Sequence, residues 1–227
     1  MGAGLDVQVR TPAARIGRWI DATAAEGPFL RSALWFLGCP IRCPGCCNPE
    51  LFEARGGLRI GPTLAADRLA RARAAFNVEG VTFVGGEPLA QPAAVAWLSY
   101  LAASLGLGVI VFTGFDLPTI EGRPELRRAL RWTDTVIAGP YRANLPERRR
   151  PFVGSSNQRI VHRTPRYRNP DLWSGPSPVE VRVGPGGGVE IVGRPDRVRR
   201  VSAVIGHAHA HAPSPVPDDV EAVDGPP

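Results

Sequence analysis

The sequence contains no lysine, so every one of its 27 basic residues is an arginine. That absence excludes a Schiff-base lysine and the lysine of a phosphate-binding Walker loop. Cysteine is scarce too. Its four copies fall between Cys39 and Cys47, too close together to staple a chain of 227 residues with disulfides. No N-terminal stretch reads as a charged-then-apolar secretory signal, and a reducing cytoplasm is the expected compartment. Leu89 to Phe115 carries no charge at all, but Pro92, Gly106 and Gly108 divide it into a helix, a turn and a strand. A buried α/β unit is therefore expected there and no membrane span. Acidic residues are outnumbered, giving a net charge of +6; four carboxylates with no arginine lie beyond His207, which leaves the preceding chain at +10. Apart from Arg148-Arg149-Arg150 the arginines are scattered and no recognition motif accompanies them, so nucleic acid is not the expected partner.

What the chain does have is concentrated in Leu37 to Glu50, which reads L-G-C-P-I-R-C-P-G-C-C-N-P-E. Cys39, Cys43 and Cys46 are spaced C-x3-C-x2-C, so one loop can bring three thiolates to a point, as an iron–sulfur cluster or a zinc ion demands. A structural zinc ion would need a fourth ligand. Cys47 adjoins Cys46 and cannot easily share an ion with it, and His162 lies far along the chain. A cubane electron carrier would use four cysteines, whereas three leave one iron open to a substrate.

The order of elements places this loop. A strand is expected over Ala33 to Leu37, and after the cysteines Asn48, Pro49 and Glu50 suit the start of a helix. A helix follows from Thr63 to about Phe76, with Ala65, Leu69, Ala72 and Phe76 on one face and Asp67 and Arg71 able to pair on another. Val81 to Val84 reads as a buried strand running into Gly85-Gly86-Glu87-Pro88, and Pro92 opens a helix that ends near Gly106. Gly108 to Phe112 delivers Thr113-Gly114-Phe115, a helix starts at Pro124, and Thr135 to Ala138 leads into Gly139-Pro140-Tyr141. This rhythm is that of an α/β fold with a parallel sheet and right-handed crossovers. All four unusual loops then emerge at one C-terminal sheet edge, where such folds place their sites. Val7 and Val9 suggest a short early strand and Glu26-Gly27-Pro28 a turn. Val179 to Val183 and Val189 to Val192 read as a hairpin around Pro185-Gly186-Gly187-Gly188. From His207 the composition is that of a disordered tail, in which His207, His209 and His211 alternate.

The cysteine loop at a strand end resembles the cluster motif of the radical S-adenosylmethionine enzymes, and Gly85-Gly86-Glu87-Pro88 resembles that family's G-G-E motif. Within the superfamily the G-C-x-x-x-C-P-G-C-x-N-P-E form, Thr113-Gly114-Phe115 and Gly154 to Ile160 are similar to the activating proteins of anaerobic ribonucleotide reductase and related single-cluster glycyl-radical activating enzymes. The resemblance runs from about Ala33 to Ile160. It implies a partial (β/α) barrel of mostly parallel strands, forming one domain over 1–206 with a core of about 33–160, a C-terminal extension over 161–206, and the tail over 207–227. It implies that Cys39, Cys43 and Cys46 hold a 4Fe-4S cluster. Gly85, Gly86 and Glu87 would contact S-adenosylmethionine, as would Thr113, Gly114 and Cys47, with Asn157, Gln158 and Arg159 as further lining. Reductive cleavage of the cofactor would yield a 5′-deoxyadenosyl radical that takes hydrogen from a glycine of a large partner protein. An external reductant of flavodoxin or ferredoxin type supplies the electron, because this reaction needs a cluster of low potential. A peptide or other substrate is the alternative of the same chemistry, and a non-catalytic metal-binding interaction module the alternative of another class. Two positions depart from the pattern: Cys47 stands where relatives carry an aromatic or histidine residue, and Ala138 where they tend to have aspartate.

Overall fold

A computed structural model describes residues 11–184 and 187–205. The early strand at Val7 and Val9 and the tail with its three histidines lie outside them. The centre is a seven-stranded sheet. Its four inner strands, β2 (Arg31–Phe36), β4 (Gly80–Gly85), β5 (Gly108–Thr113) and β6 (Thr135–Ala138), are mutually parallel. β1 (Ala14–Thr23) lies antiparallel beside β2, β3 (Leu58–Ile60) antiparallel beside β1, and β7 (Arg159–His162) antiparallel beside β6, giving the order β3-β1-β2-β4-β5-β6-β7. Among the described residues the sheet is open. The architecture is mixed α/β with a parallel centre, and the expected strand ends do meet at one edge.

Both faces of the inner strands are covered, which is why they read as continuous apolar runs. Leu34, Phe36, Val81, Phe83, Val109, Val111 and Val136 point to one face. There they pack under α1 (Pro62–Phe76), α2 (Pro92–Ser104), α3 (Leu117–Gly122) and α4 (Pro124–Ala129), through Leu69, Val95, Leu98, Ile120 and Leu126. The alternate residues Ala33, Trp35, Ile110 and Ile137 face the other way and meet Val192, Val153, Tyr167 and Trp173. Val192 belongs to a separate hairpin of β8 (Val179–Val183) and β9 (Val189–Gly193), which is followed by α5 (Pro195–Ile205). The uncharged stretch resolves into α2 and β5 as expected, and no helix among the described residues is long and apolar enough to cross a membrane.

Three expectations need correction. β1 is a ten-residue strand where no strand was expected. The helix after the cysteines is a single 3-10 turn, Pro49–Leu51, and Asn48 makes no side-chain cap. Phe76 is more than half exposed, so the buried face of α1 ends at Ala72.

At the sheet end opposite the cysteines, Arg31 is fully buried. Its guanidinium donates to Thr82 Oγ1 at 2.8 Å, the Pro28 carbonyl at 2.9 Å, the Tyr167 hydroxyl at 3.0 Å and the carbonyls of Val81 and Gly108 at 3.1 and 3.3 Å. It also pairs with Glu79 at 3.1 Å, and the Tyr167 hydroxyl donates to that carboxylate. A buried charge with this many partners plugs the end of the sheet.

Candidate functional site

The cysteine loop is closed by backbone hydrogen bonds at its base. The N–H groups of Gly38 and Cys39 donate to the carbonyls of Leu51 and Phe52 at 2.9 and 3.0 Å. Those carbonyls are thus committed across the loop, and the chain rejoins the sheet at Leu58, the first residue of β3. Inside it, Arg42 and Gly45 take left-handed φ values of 48° and 74°, and Cys46 N–H closes a turn onto the Cys43 carbonyl at 3.1 Å. Cys39, Cys43, Cys46 and Cys47 are free thiols, and all four line one cavity of about 530 Å³.

The thiols differ in electrostatics. The Cys47 side chain hydrogen-bonds to Cys46, and the Asn48 N–H reaches the Cys46 sulfur at 3.5 Å; together they pull the Cys46 thiol down to about 6 despite its burial. Cys47 is pushed up in return, by that bond and by burial. Burial also raises Cys43. Among the described residues no three side chains of His, Cys, Asp or Glu type are already gathered at metal distance. The donor set is nevertheless all thiol, on one loop, at one cavity wall. That set could hold an iron–sulfur cluster through three thiolates, with room beside it for a ligand.

Next along the sheet edge lies Gly85-Gly86-Glu87. Gly86 N–H donates to the Phe36 carbonyl and Glu87 N–H to the Gly38 carbonyl, both at 2.9 Å, so this loop is laced to the base of the cysteine loop. Both glycines are sterically required. At Gly85, with φ of +103°, a Cβ would lie 2.7 Å from the Phe36 nitrogen, and at Gly86 one would lie 2.7 Å from the Gly38 oxygen.

Glu87 is almost fully buried. Its carboxylate accepts from Leu89 N–H at 2.8 Å, Thr113 Oγ1 at 2.8 Å and Gly114 N–H at 2.7 Å. Burial pushes it up to about 7, with these three donors opposing. The residue therefore caps the following 3-10 turn and ties the ends of β4 and β5 together. Gly114 lies close to the cysteine loop, since a Cβ there would sit 2.5 Å from Cδ1 at the tip of the Ile41 side chain, which would have to turn aside.

All nine residues expected at the site, Cys39, Cys43, Cys46, Cys47, Gly85, Gly86, Glu87, Thr113 and Gly114, line this cavity. Of the later candidates Gln158 also does, its side chain accepting from the N–H groups of Gly154 and Ser155 and donating to the Gly139 carbonyl at 3.0 Å. Asn157 instead donates to the Pro140 carbonyl at 2.8 Å, and Arg159 is exposed on β7. His162 bonds to Thr135 at 3.0 Å beside Trp173 and does not line the cavity. Sequence reasoning missed Arg18 and Glu26, and it missed the wall built from Ile191, Val192 and Val198 of the C-terminal hairpin and α5. Those residues carry no motif, and only the tertiary fold brings them to the site.

Residues 25–161 match a family described as the 4Fe-4S single cluster domain. The anaerobic ribonucleoside-triphosphate reductase-activating protein of Enterobacteria phage T4 is 29% identical over 145 residues, covering 61% of this chain and 88% of that protein. The protein of the same name from Pasteurella multocida is 26% identical over 153 residues, 65% of this chain and 94% of its own length. The pyruvate formate-lyase-activating enzyme of Clostridium pasteurianum is 32% identical over 115 residues, 49% of this chain and 46% of that enzyme. The hairpin and α5 lie beyond the matched family segment.

Proposed function

The chain belongs to the 4Fe-4S single cluster domain family, among the radical S-adenosylmethionine glycyl-radical activators, and on that premise we propose that its partner is an anaerobic ribonucleotide reductase-like protein. When bound, the cluster and S-adenosylmethionine supply a 5′-deoxyadenosyl radical able to take hydrogen from a glycine of that partner. In this reading Cys39, Cys43 and Cys46 hold the cluster. Gly85 and Gly86 let the loop backbone approach closely, while Glu87 fixes Thr113 and Gly114 at the neighbouring strand end, so that the cofactor meets a preset surface. Cys47 faces the cofactor rather than the metal. Trp35, Val84 and Phe112 make that part of the cavity apolar and limit water.

The observation carrying this reading is that nine residues drawn from three separate loops line a single cavity. The partial-barrel description, one domain over 1–206 with its core at about 33–160, a cytoplasmic location and a flavodoxin- or ferredoxin-type electron donor are parts of the same proposal. Reconstitution with iron and sulfide under anaerobic conditions tests it. With a strong reductant and S-adenosylmethionine the protein should release 5′-deoxyadenosine, and adding the partner should produce a glycyl radical visible by electron paramagnetic resonance. A protein that takes up only zinc and releases no 5′-deoxyadenosine would sink the reading. Cys46→Ala should lose the cluster's visible absorbance while Cys47→Ala keeps it; the reverse would move the ligand register.

A further inference from the structure

Arginines that are scattered in the sequence are gathered by the fold. Arg127 and Arg128 of α4, Arg131 just beyond it and Arg163 after β7 surround one depression of about 290 Å³, with Pro124 as its remaining wall. Arg163 follows the pairing of His162 with Thr135, so the depression lies toward the sheet end opposite the cysteine loop. It shares no residue with the cysteine cavity.

The support under these side chains is fixed. Leu126, Ala129 and Leu130 are buried in the core, which leaves Arg127, Arg128 and Arg131 exposed on the outer side of the same segment. Arg163 is held through its main chain, its N–H donating to the Asp134 carbonyl at 2.7 Å. Cations near a helix C-terminus suit the helix dipole, and that accounts for the first three. It does not account for the fourth, which arrives from another element.

None of the four makes an ion pair with a described residue, whereas Arg123 at the start of α4 pairs with Glu125 at 2.8 Å. The nearby carboxylate of Asp134 is already engaged, accepting from Val109 N–H at 2.8 Å and from Thr164 Oγ1 at 2.5 Å. Arg127 donates to the Glu121 carbonyl, and the Arg131 guanidinium lies 5.6 Å from the centroid of the Trp132 ring. Like charges that face one depression repel one another, and an anion placed among them removes that repulsion.

The guanidinium fork matches phosphate oxygens two at a time. A carboxylate or a single phosphate would leave most of this charge unmatched, whereas a phosphate chain carries several anionic groups in one short ligand. Beside Arg131 the exposed rings of Trp132 and Tyr100 meet edge to face at 5.5 Å, which adds an aromatic surface at the rim. We propose that Arg127, Arg128, Arg131 and Arg163 form a binding site for an oligophosphate chain, free or as the phosphate end of a nucleotide. The cluster and the radical reaction take no part in it.

Calorimetry on the reconstituted full chain tests this, with S-adenosylmethionine saturating so that the cysteine cavity is filled. Inorganic triphosphate is the probe, and it should bind at least about tenfold more tightly than orthophosphate. The double variant Arg127→Gln/Arg163→Gln should weaken triphosphate binding by roughly tenfold or more. Arg148→Gln/Arg149→Gln removes the same charge from another exposed stretch and should change it by less than about threefold. Circular dichroism checks that both variants are folded. Absence of triphosphate binding in the wild type would overturn the proposal, as would equal losses in the two double variants or equal affinity for a penta-aspartate peptide. The same titration with adenosine triphosphate separates the two sources: tighter binding than inorganic triphosphate assigns the site to a nucleotide, and equal or weaker binding to a free oligophosphate.

Discussion

A carboxyl buried as deeply as that of Glu87 keeps its proton to about pH 7, against 4.5 for an exposed glutamate. Between those values the folded protein binds a proton that the unfolded chain has released, so stability falls as pH rises through the window. Glu87→Gln removes that contribution. In the cluster-free protein the wild-type melting temperature should therefore drop relative to the variant between about pH 5 and pH 7; parallel pH profiles would contradict the assignment. Glu26 shares the same elevated value, so part of the slope should persist. The neighbouring glycine yields a second prediction. A Cβ at Gly86 meets three backbone oxygens within 2.9 Å, so Gly86→Ala should cost roughly 1–3 kcal/mol in urea denaturation. Gly122→Ala, with nothing within 4 Å, should stay within about 0.5 kcal/mol of the wild type. The G-G-E loop was legible in the sequence because it follows a clear strand. The steric need for its glycines was not, because that need comes from the pairing of Phe36 with Gly85 across β2 and β4. Glu26 was legible only as the start of a Gly-Pro turn, and that pattern does not tell a cavity residue from the rest of the 21 acidic residues.

At the scale of elements, the C-terminal hairpin walls the cavity and is anchored by polar contacts to β1. Glu180 accepts from Thr23 Oγ1 at 2.7 Å and from the Ala24 N–H, Arg182 donates to the Ala22 carbonyl at 2.8 Å, and Glu190 pairs with Arg18. Glu180→Ala should loosen this docking by about 2 kcal/mol. Hydrogen exchange would show it as faster exchange across β8 and β9 with β4 and β5 unchanged; uniform acceleration would mean that the hairpin is part of the central cooperative unit. The hairpin was readable from its alternation, and β6 to the residue, since Asp134 and Gly139 bracket it. β1 was not, because Arg15, Gly17, Arg18 and Asp21 interrupt its apolar pattern and its strand geometry is supported by pairing on both sides, with β2 and β3. The expected helix after the cysteines failed for a related reason: Leu51 and Phe52 spend their carbonyls on Gly38 and Cys39.

Across the whole molecule the two ends of the parallel strands are held differently. At one end Arg31 gathers partners from four stretches of chain, around Pro28, Glu79 to Thr82, Gly108 and Tyr167. Arg31→Met takes the guanidinium from Thr82 Oγ1 and the carbonyls of Pro28, Val81 and Gly108, while Glu79 keeps Arg166 and Tyr167 as donors, and should cost roughly 1–3 kcal/mol. Denaturant unfolding should still show one transition, at lower concentration; a second transition would mean that the plug serves only the Tyr167 segment. At the other end the cysteine loop is laced through Gly38, Cys39, Gly86 and Glu87 by main-chain bonds that involve no thiol. The consequence concerns repair. Loss of a bound cluster would break none of these bonds, so reloading the emptied protein should need iron and sulfide but no refolding of the loop.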